Sequence, residues 1–95
     1  MAVFILLSTL TEEGAKTIKK EPGRIKEVNA EIEKLGVHVR EQYAMLGTID
    51  FINIVEAPDT ATIMRVSAEL VSRGSVKITT LPAIPIDDFI RSLKG

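Results

Sequence analysis

The stretch Tyr43-Ala44-Met45-Leu46-Gly47-Thr48-Ile49-Asp50-Phe51-Ile52-Asn53-Ile54-Val55-Glu56-Ala57-Pro58-Asp59 decides the fold. It reads as the end of one strand, a tight turn at Gly47-Thr48, a second apolar strand, and a helix start at Pro58-Asp59. Gly supplies the backbone freedom a turn needs. Proline suits a first helical turn, and acidic groups favour the positive end of the helix dipole. The apolar strand Ile49–Val55 places Ile49, Phe51, Asn53 and Val55 on one side and Asp50, Ile52 and Ile54 on the other.

Ahead of this stretch, Val3–Thr9 is a continuous apolar run. Its length and β-branching predict a strand buried on both faces, central in its sheet. The run lacks the basic leader of a signal peptide and is too short to span a bilayer. Thr11-Glu12-Glu13 predicts an N-cap and an acidic first turn. Pro22-Gly23 either separates two helices or bends one. From Arg24, Ile25, Val28, Ile32 and Leu35 recur at helical spacing opposite a charged face, and Gly36 ends the pattern. Val37–Leu46 alternates, with Val37, Val39, Tyr43 and Met45 on one side and His38, Arg40, Gln42 and Ala44 on the other. One polar face predicts an edge strand.

Beyond it, Ile63, Met64, Val66, Leu70 and Val71 give a second long helix ending at Arg73-Gly74. Met45 and Met64 are expected in the core. Val76–Leu81 is a fourth strand. Ile86–Leu93 closes the chain as a short helix, with Phe89, Ile90 and Leu93 available for docking. The order β-α-β-β-α-β plus a tail helix predicts an α+β ferredoxin-like sandwich over residues 1–95, a four-stranded antiparallel sheet of order 4-1-3-2 with helices on one face. The two most apolar strands fall in the centre. The other sheet face would then be apolar and bare, so a homodimer or higher homo-oligomer is expected through it.

Composition narrows the function. The 95 residues hold 12 basic and 13 acidic groups, a net charge of −1, which gives no electrostatic pull toward nucleic acid or an anionic membrane. There is no cysteine and one histidine, so no disulfide, no thiolate and no His/Cys metal site is expected, and no cofactor is implied. A reducing cytoplasm fits. No glycine-rich phosphate loop is present. The RNA-binding pattern of this topology, aromatics with basic residues on the central strands, is missing.

Five polar residues near the opening stretch are candidates for a ligand site: Tyr43, Asp50, His38, Asn53 and Arg40. His38, the one histidine, lies beside Arg40 with Asp50 across the hairpin, and reads as an acid/base or anion-binding cluster, or as a solvated edge with an Arg–Asp pair. A carboxylate or amide in an apolar strand needs hydrogen bonds, from the protein or from a ligand, which applies to Asp50 and Asn53.

Tyr43, Leu46, Gly47, Asp50, Glu56, Ala57, Pro58 and Asp59 resemble the signature of the GYD-domain family, small proteins of the dimeric α+β barrel superfamily. The resemblance extends over nearly the whole chain. The signature tyrosine is Ile49 here, which removes the phenolic hydroxyl from that place. The resemblance implies self-association through the sheet face and an interior cavity; wider relatives include cofactor-independent oxygenases. Two functions follow as expectations: a small-molecule-binding domain whose paired sheets enclose an apolar or polar-apolar ligand, with cofactor-free oxidation as the enzymatic analogy, or an interaction module whose sheet face is only an oligomer interface.

Overall fold

A computed structural model describes residues 1–95. The elements run β1 (Ala2–Leu10), α1 (Glu12–Lys20), α2 (Arg24–Lys34), β2 (His38–Ala44), β3 (Phe51–Ala57), α3 (Thr60–Ser72), β4 (Val76–Ala83) and α4 (Ile86–Lys94). The four strands form one antiparallel sheet of order β2-β3-β1-β4. This is the expected ferredoxin-like order, with β1 and β3 inside. Pro22-Gly23 separates two helices.

The alternation of β1 sorts the two faces. Phe4, Leu6 and Ser8 are buried under the helices, together with Val55 and Ala57 of β3. Ile32 of α2 and Ile63 and Val66 of α3 close this core, with Val28, Val39, Leu70 and Ile78 packed against it. Ile5 and Leu7 point the other way, beside Ile54 and Ile52 across the β1–β3 pairing and Leu81 and Thr79 across the β1–β4 pairing. The shortest dimension of the chain is 19 Å, room for one helix layer on one sheet. No helix of this chain covers the Ile5/Leu7 face.

Three local features differ from the sequence expectation. The strands of the hairpin stop at Ala44 and Phe51, so the connection is Met45–Asp50 and not a two-residue turn. The reason is that this loop is spent on β1. Asp50 N–H donates to Ser8 O (2.9 Å), Leu10 N–H donates to Asp50 Oδ2 (2.8 Å), and Thr9 Oγ1 donates to Thr48 O (3.2 Å). Second, a bulge between Val39 and Glu41 resets the alternation of β2. Gln42 therefore shares the helix face with Val39, whereas Glu41 and Tyr43 share the open face. Third, Met45 and Met64 are exposed, at 42% and 64%, and are not core. Met64 lies on the outer side of α3, whose inner side is held by Ile63 and Val66.

Both helix starts anticipated from sequence are capped. Thr11 Oγ1 accepts from Gly14 N–H (3.1 Å), and Asp59 Oδ1 accepts from Thr62 N–H (2.8 Å). Pro58 precedes the second cap and does not enter the helix.

Gly14 carries a constraint that helix propensity alone does not show. Thr11 N–H donates to Ser75 O (3.0 Å) and Thr11 Oγ1 donates to Gly74 O (2.8 Å), which clamps the start of α1 onto the turn before β4. A Cβ on Gly14 would stand 2.0 Å from Ser75 O. Propensity favours Ala over Gly by about 1 kcal/mol, but a backbone clash of this kind forces a larger adjustment. Gly14→Ala is expected to destabilise the fold by about 1–3 kcal/mol, read as a lower urea midpoint with an unchanged slope. A gain in stability would show that α1 does not need this close approach.

Candidate functional site

The sheet face under the helices encloses a cavity of about 150 Å³. Its floor is Leu6, Ser8 and Leu10 of β1, Phe51 and Asn53 of β3, Gln42 of β2, and Val76 and Ile78 of β4. Its roof is Ile18 of α1, Ile25, Val28, Asn29 and Ile32 of α2, and Leu70 of α3. The cavity arises because α1 and α2 meet at the Pro22-Gly23 break and span the sheet as two short segments. Medium-sized Ile and Val side chains hang from them. The chain has only 3 Phe, 1 Tyr and no Trp with which to fill the gap.

One end of the cavity is polar. Asn29 Nδ2 donates to Gln42 Oε1 (2.8 Å), and Gln42 Nε2 donates back to Asn29 Oδ1 (3.3 Å). This pair ties α2 to β2. Beside Gln42 in the β2–β3 register stands Asn53. Its Oδ1 is buried and has no hydrogen-bond partner, the only such side-chain atom in the structure. A buried amide oxygen needs a donor, and none of the protein's own groups supplies one here.

The mouth is latched by charge. Glu31 of α2 accepts from Arg24 Nη1 (3.0 Å) and sits 2.7 Å from Nη1 of Arg73, which follows α3. Both arginines line the cavity. The Arg73 hydrogen bond, reinforced by its charge and by Arg24, holds the Glu31 carboxyl below its ordinary value.

The five candidates from sequence do not form one cluster. Asn53 lines the cavity on the helix side. Asp50 lies at the strand end, where its carboxylate accepts from Leu10 N–H. That N–H is beyond the last β1–β3 pair, Ser8 with Phe51, so the side chain takes the place of a missing ladder partner. His38, Arg40 and Tyr43 are spread along β2, outside the cavity. His38 Nδ1 is 3.0 Å from Glu33 Oε2, Arg40 Nε is 3.8 Å from Glu56 Oε1, and Tyr43 Oη donates to Glu41 Oε2 (2.9 Å). The Glu41 hydrogen bond and charge raise the Tyr43 phenol above its ordinary value, so it stays protonated at neutral pH. No three His, Asp or Glu side chains converge as a metal-ligating group. No helix is long and apolar enough to cross a membrane.

Sequence reading missed the cavity partners Asn29 and Arg73. Asn29 has a signal, a polar residue one position after Val28 within the apolar stripe of α2. Arg73 has none, because its role depends on α3 lying beside α2.

A family model described as GYD domain matches residues 4–93. The chain belongs to the GYD-domain family. In this GYD domain the signature aspartate, Asp50, is the clip between the hairpin loop and β1, and Ile49 stands partly buried where the family pattern has tyrosine. A relative from Thermus thermophilus is 58% identical over 95 residues, covering 99% of this chain and 100% of its own. That relative is named glutamine synthetase and cystathionine beta-lyase binding protein. No solved structure matches at a significant level.

The latch has a pH signature. The Glu31 carboxyl is lowered in the folded state from an ordinary 4.5, so the native state binds fewer protons than the unfolded chain between those two values. Its stabilising contribution is complete above the unfolded value and disappears as pH falls through the folded one. The stability gap between the wild type and Glu31→Gln is expected to be largest at neutral pH and to close on acidification below about 4.5. Thermal unfolding across that range measures it; a gap that stays constant into acid would show that the carboxylate charge does not hold the latch.

Proposed function

We propose that this GYD domain is a protein-interaction module of the cytoplasm: a homodimer through its open sheet face that docks on enzymes through α4. The observation that carries the reading is α4. It makes no substantial contact with any other element, and every one of its residues is exposed. Yet Ile86, Phe89, Ile90 and Leu93 lie on one side of it, with Asp87, Asp88, Arg91 and Lys94 on the rest. A two-turn amphipathic helix does not persist in water on its own propensity; it is stabilised by what its apolar side meets. The chain is 51 Å long with a radius of gyration of 14.3 Å, where a compact fold of this length has roughly 12 Å. Such a projecting helix suits the helix-in-groove mode of recognition.

The sheet face supports self-association. Val3, Ile5, Leu7, Ile52, Ile54 and Leu81 form an apolar centre, and His38, Glu41, Tyr43, Glu56 and Lys77 a polar margin. Four strands at about 4.8 Å spacing and seven residues at about 3.3 Å give a face of roughly 400 Å² in plan, large for a monomer to leave bare. An apolar centre in a polar rim is the usual anatomy of a protein interface. The name of the Thermus thermophilus relative supports a partner class. We take glutamine synthetase and cystathionine beta-lyase as the partners of this chain too. The absence of cysteine fits a reducing compartment.

Two sets of variants separate the surfaces. Light scattering is expected to give twice the 10.4 kDa chain mass for the wild type and the monomer mass for Ile54→Lys. A charge at the centre of an apolar interface cannot be paired there, whereas in the monomer it faces water. Phe89→Ser with Leu93→Ser is expected to keep the dimer but weaken binding to purified glutamine synthetase at least about thirtyfold, the loss of about 2 kcal/mol typical of an aromatic anchor. A monomeric wild type sinks the dimer. Unchanged enzyme binding by the double variant, or its dissociation into monomers, sinks the assignment of α4 to the enzyme.

A further inference from the structure

We propose that the cavity beneath α1 and α2 is a binding site for a small, mostly apolar molecule carrying one hydrogen-bond donor, such as a phenol-sized ring with a hydroxyl. The site is separate from both docking surfaces, since it lies on the helix side of the sheet, inside a single chain.

Two independent observations converge on it. The first is space. The volume of about 150 Å³ suits one aromatic ring, and interior cavities of that size lined by Leu, Ile and Phe accept such rings. Here Ile18, Ile25, Val28 and Leu70 form the apolar body of the site.

The second is chemistry. Asn53 lines that same cavity, and its Oδ1 is buried without a partner. Gln42, its neighbour across the strands, turns its amide toward Asn29, and no protein donor reaches Asn53 Oδ1. The terminal torsion of an asparagine is broad, and a small rotation turns its carbonyl toward a donor in the cavity. An O–H or N–H on a bound ring would meet that acceptor while the ring displaces nothing from the apolar walls. A charged ligand does not fit the interior, because Arg24 and Arg73 are already paired with Glu31 at the mouth. The site therefore selects a neutral donor.

The test uses the wild-type full chain and three probes of nearly equal shape: phenol, toluene and anisole. Phenol offers a donor, toluene offers none, and anisole offers only an acceptor. Each is titrated into ¹⁵N,¹³C-labelled protein and followed by NMR. Phenol is expected to bind saturably, at least about fivefold tighter than toluene or anisole, the net worth of one hydrogen bond. Its shifts should map to the Asn53 side-chain amide and the methyls of Ile18, Val28 and Leu70, leaving Ile54 on the open face unmoved. Asn53→Leu should erase the preference for phenol. Where that variant does not fold, Val28→Phe fills the cavity and should abolish binding of all three probes. The proposal is overturned by no saturable shift with any probe, by shifts confined to the open face, by toluene or anisole binding as tightly as phenol, or by phenol binding retained in Val28→Phe.

Discussion

Everything in this molecule depends on β1 being paired on both sides. Its antiparallel register with β3 runs from Ala2–Ala57 to Ser8–Phe51, and its register with β4 from Val3–Ala83 to Leu10–Val76. With both edges consumed, its only freedom is the alternation of side chains. Phe4, Leu6 and Ser8 go to one face and Val3, Ile5 and Leu7 to the other. A one-residue slip would exchange the two sets, and Ser8 would leave the place it holds beneath α1. The clip from Asp50 to Leu10 and Ser8 fixes that register at the strand's far end.

Because β1 and β3 are apolar on both sides, the sheet has two sticky faces and the chain has helices enough for one. The covered face is filled by residues of moderate size from two short helices and one long one, which leaves room beneath α1 and α2. The bare face is a continuous array of Ile, Leu and Val. These two consequences of one strand's composition account for both the internal cavity and the open apolar face. The tail helix adds a third surface, removed from the others because no element of its own chain packs substantially against its apolar side.

The candidate site is partly legible in the sequence. An asparagine within an apolar strand needs an explanation, and Asn53 is the residue whose buried oxygen lacks a partner. Asp50 needs donors for the same reason, and its donors are backbone groups of β1. By sequence alternation Tyr43 falls on the side of Val39, and Gln42 with His38 and Arg40. A bulge at Arg40 breaks the period of two on which any strand reading depends and exchanges Tyr43 and Gln42. The one local trace of that bulge in the sequence is Glu41, which falls on the apolar side of the alternation. The methionines mislead for a related reason: Met64 follows Ile63 on α3, and a broad apolar stripe does not say which of two adjacent residues faces inward.

Sequence alone determined the element order, the two central strands, the helix cap at Thr11, the helix start near Asp59, and the presence of an uncovered apolar face. These follow from local periodicity and from the short-range chemistry of capping and turns, which act between residues a few positions apart. Tertiary structure decided the rest. It showed that Gly14 is required by the carbonyl of Ser75, that Arg73 and Arg24 share Glu31, and that Asn53 borders a cavity. Each of these joins residues on different elements. Their separation in space is set by how helices of given side-chain volume settle on a twisted sheet, a quantity that no single segment of the chain encodes.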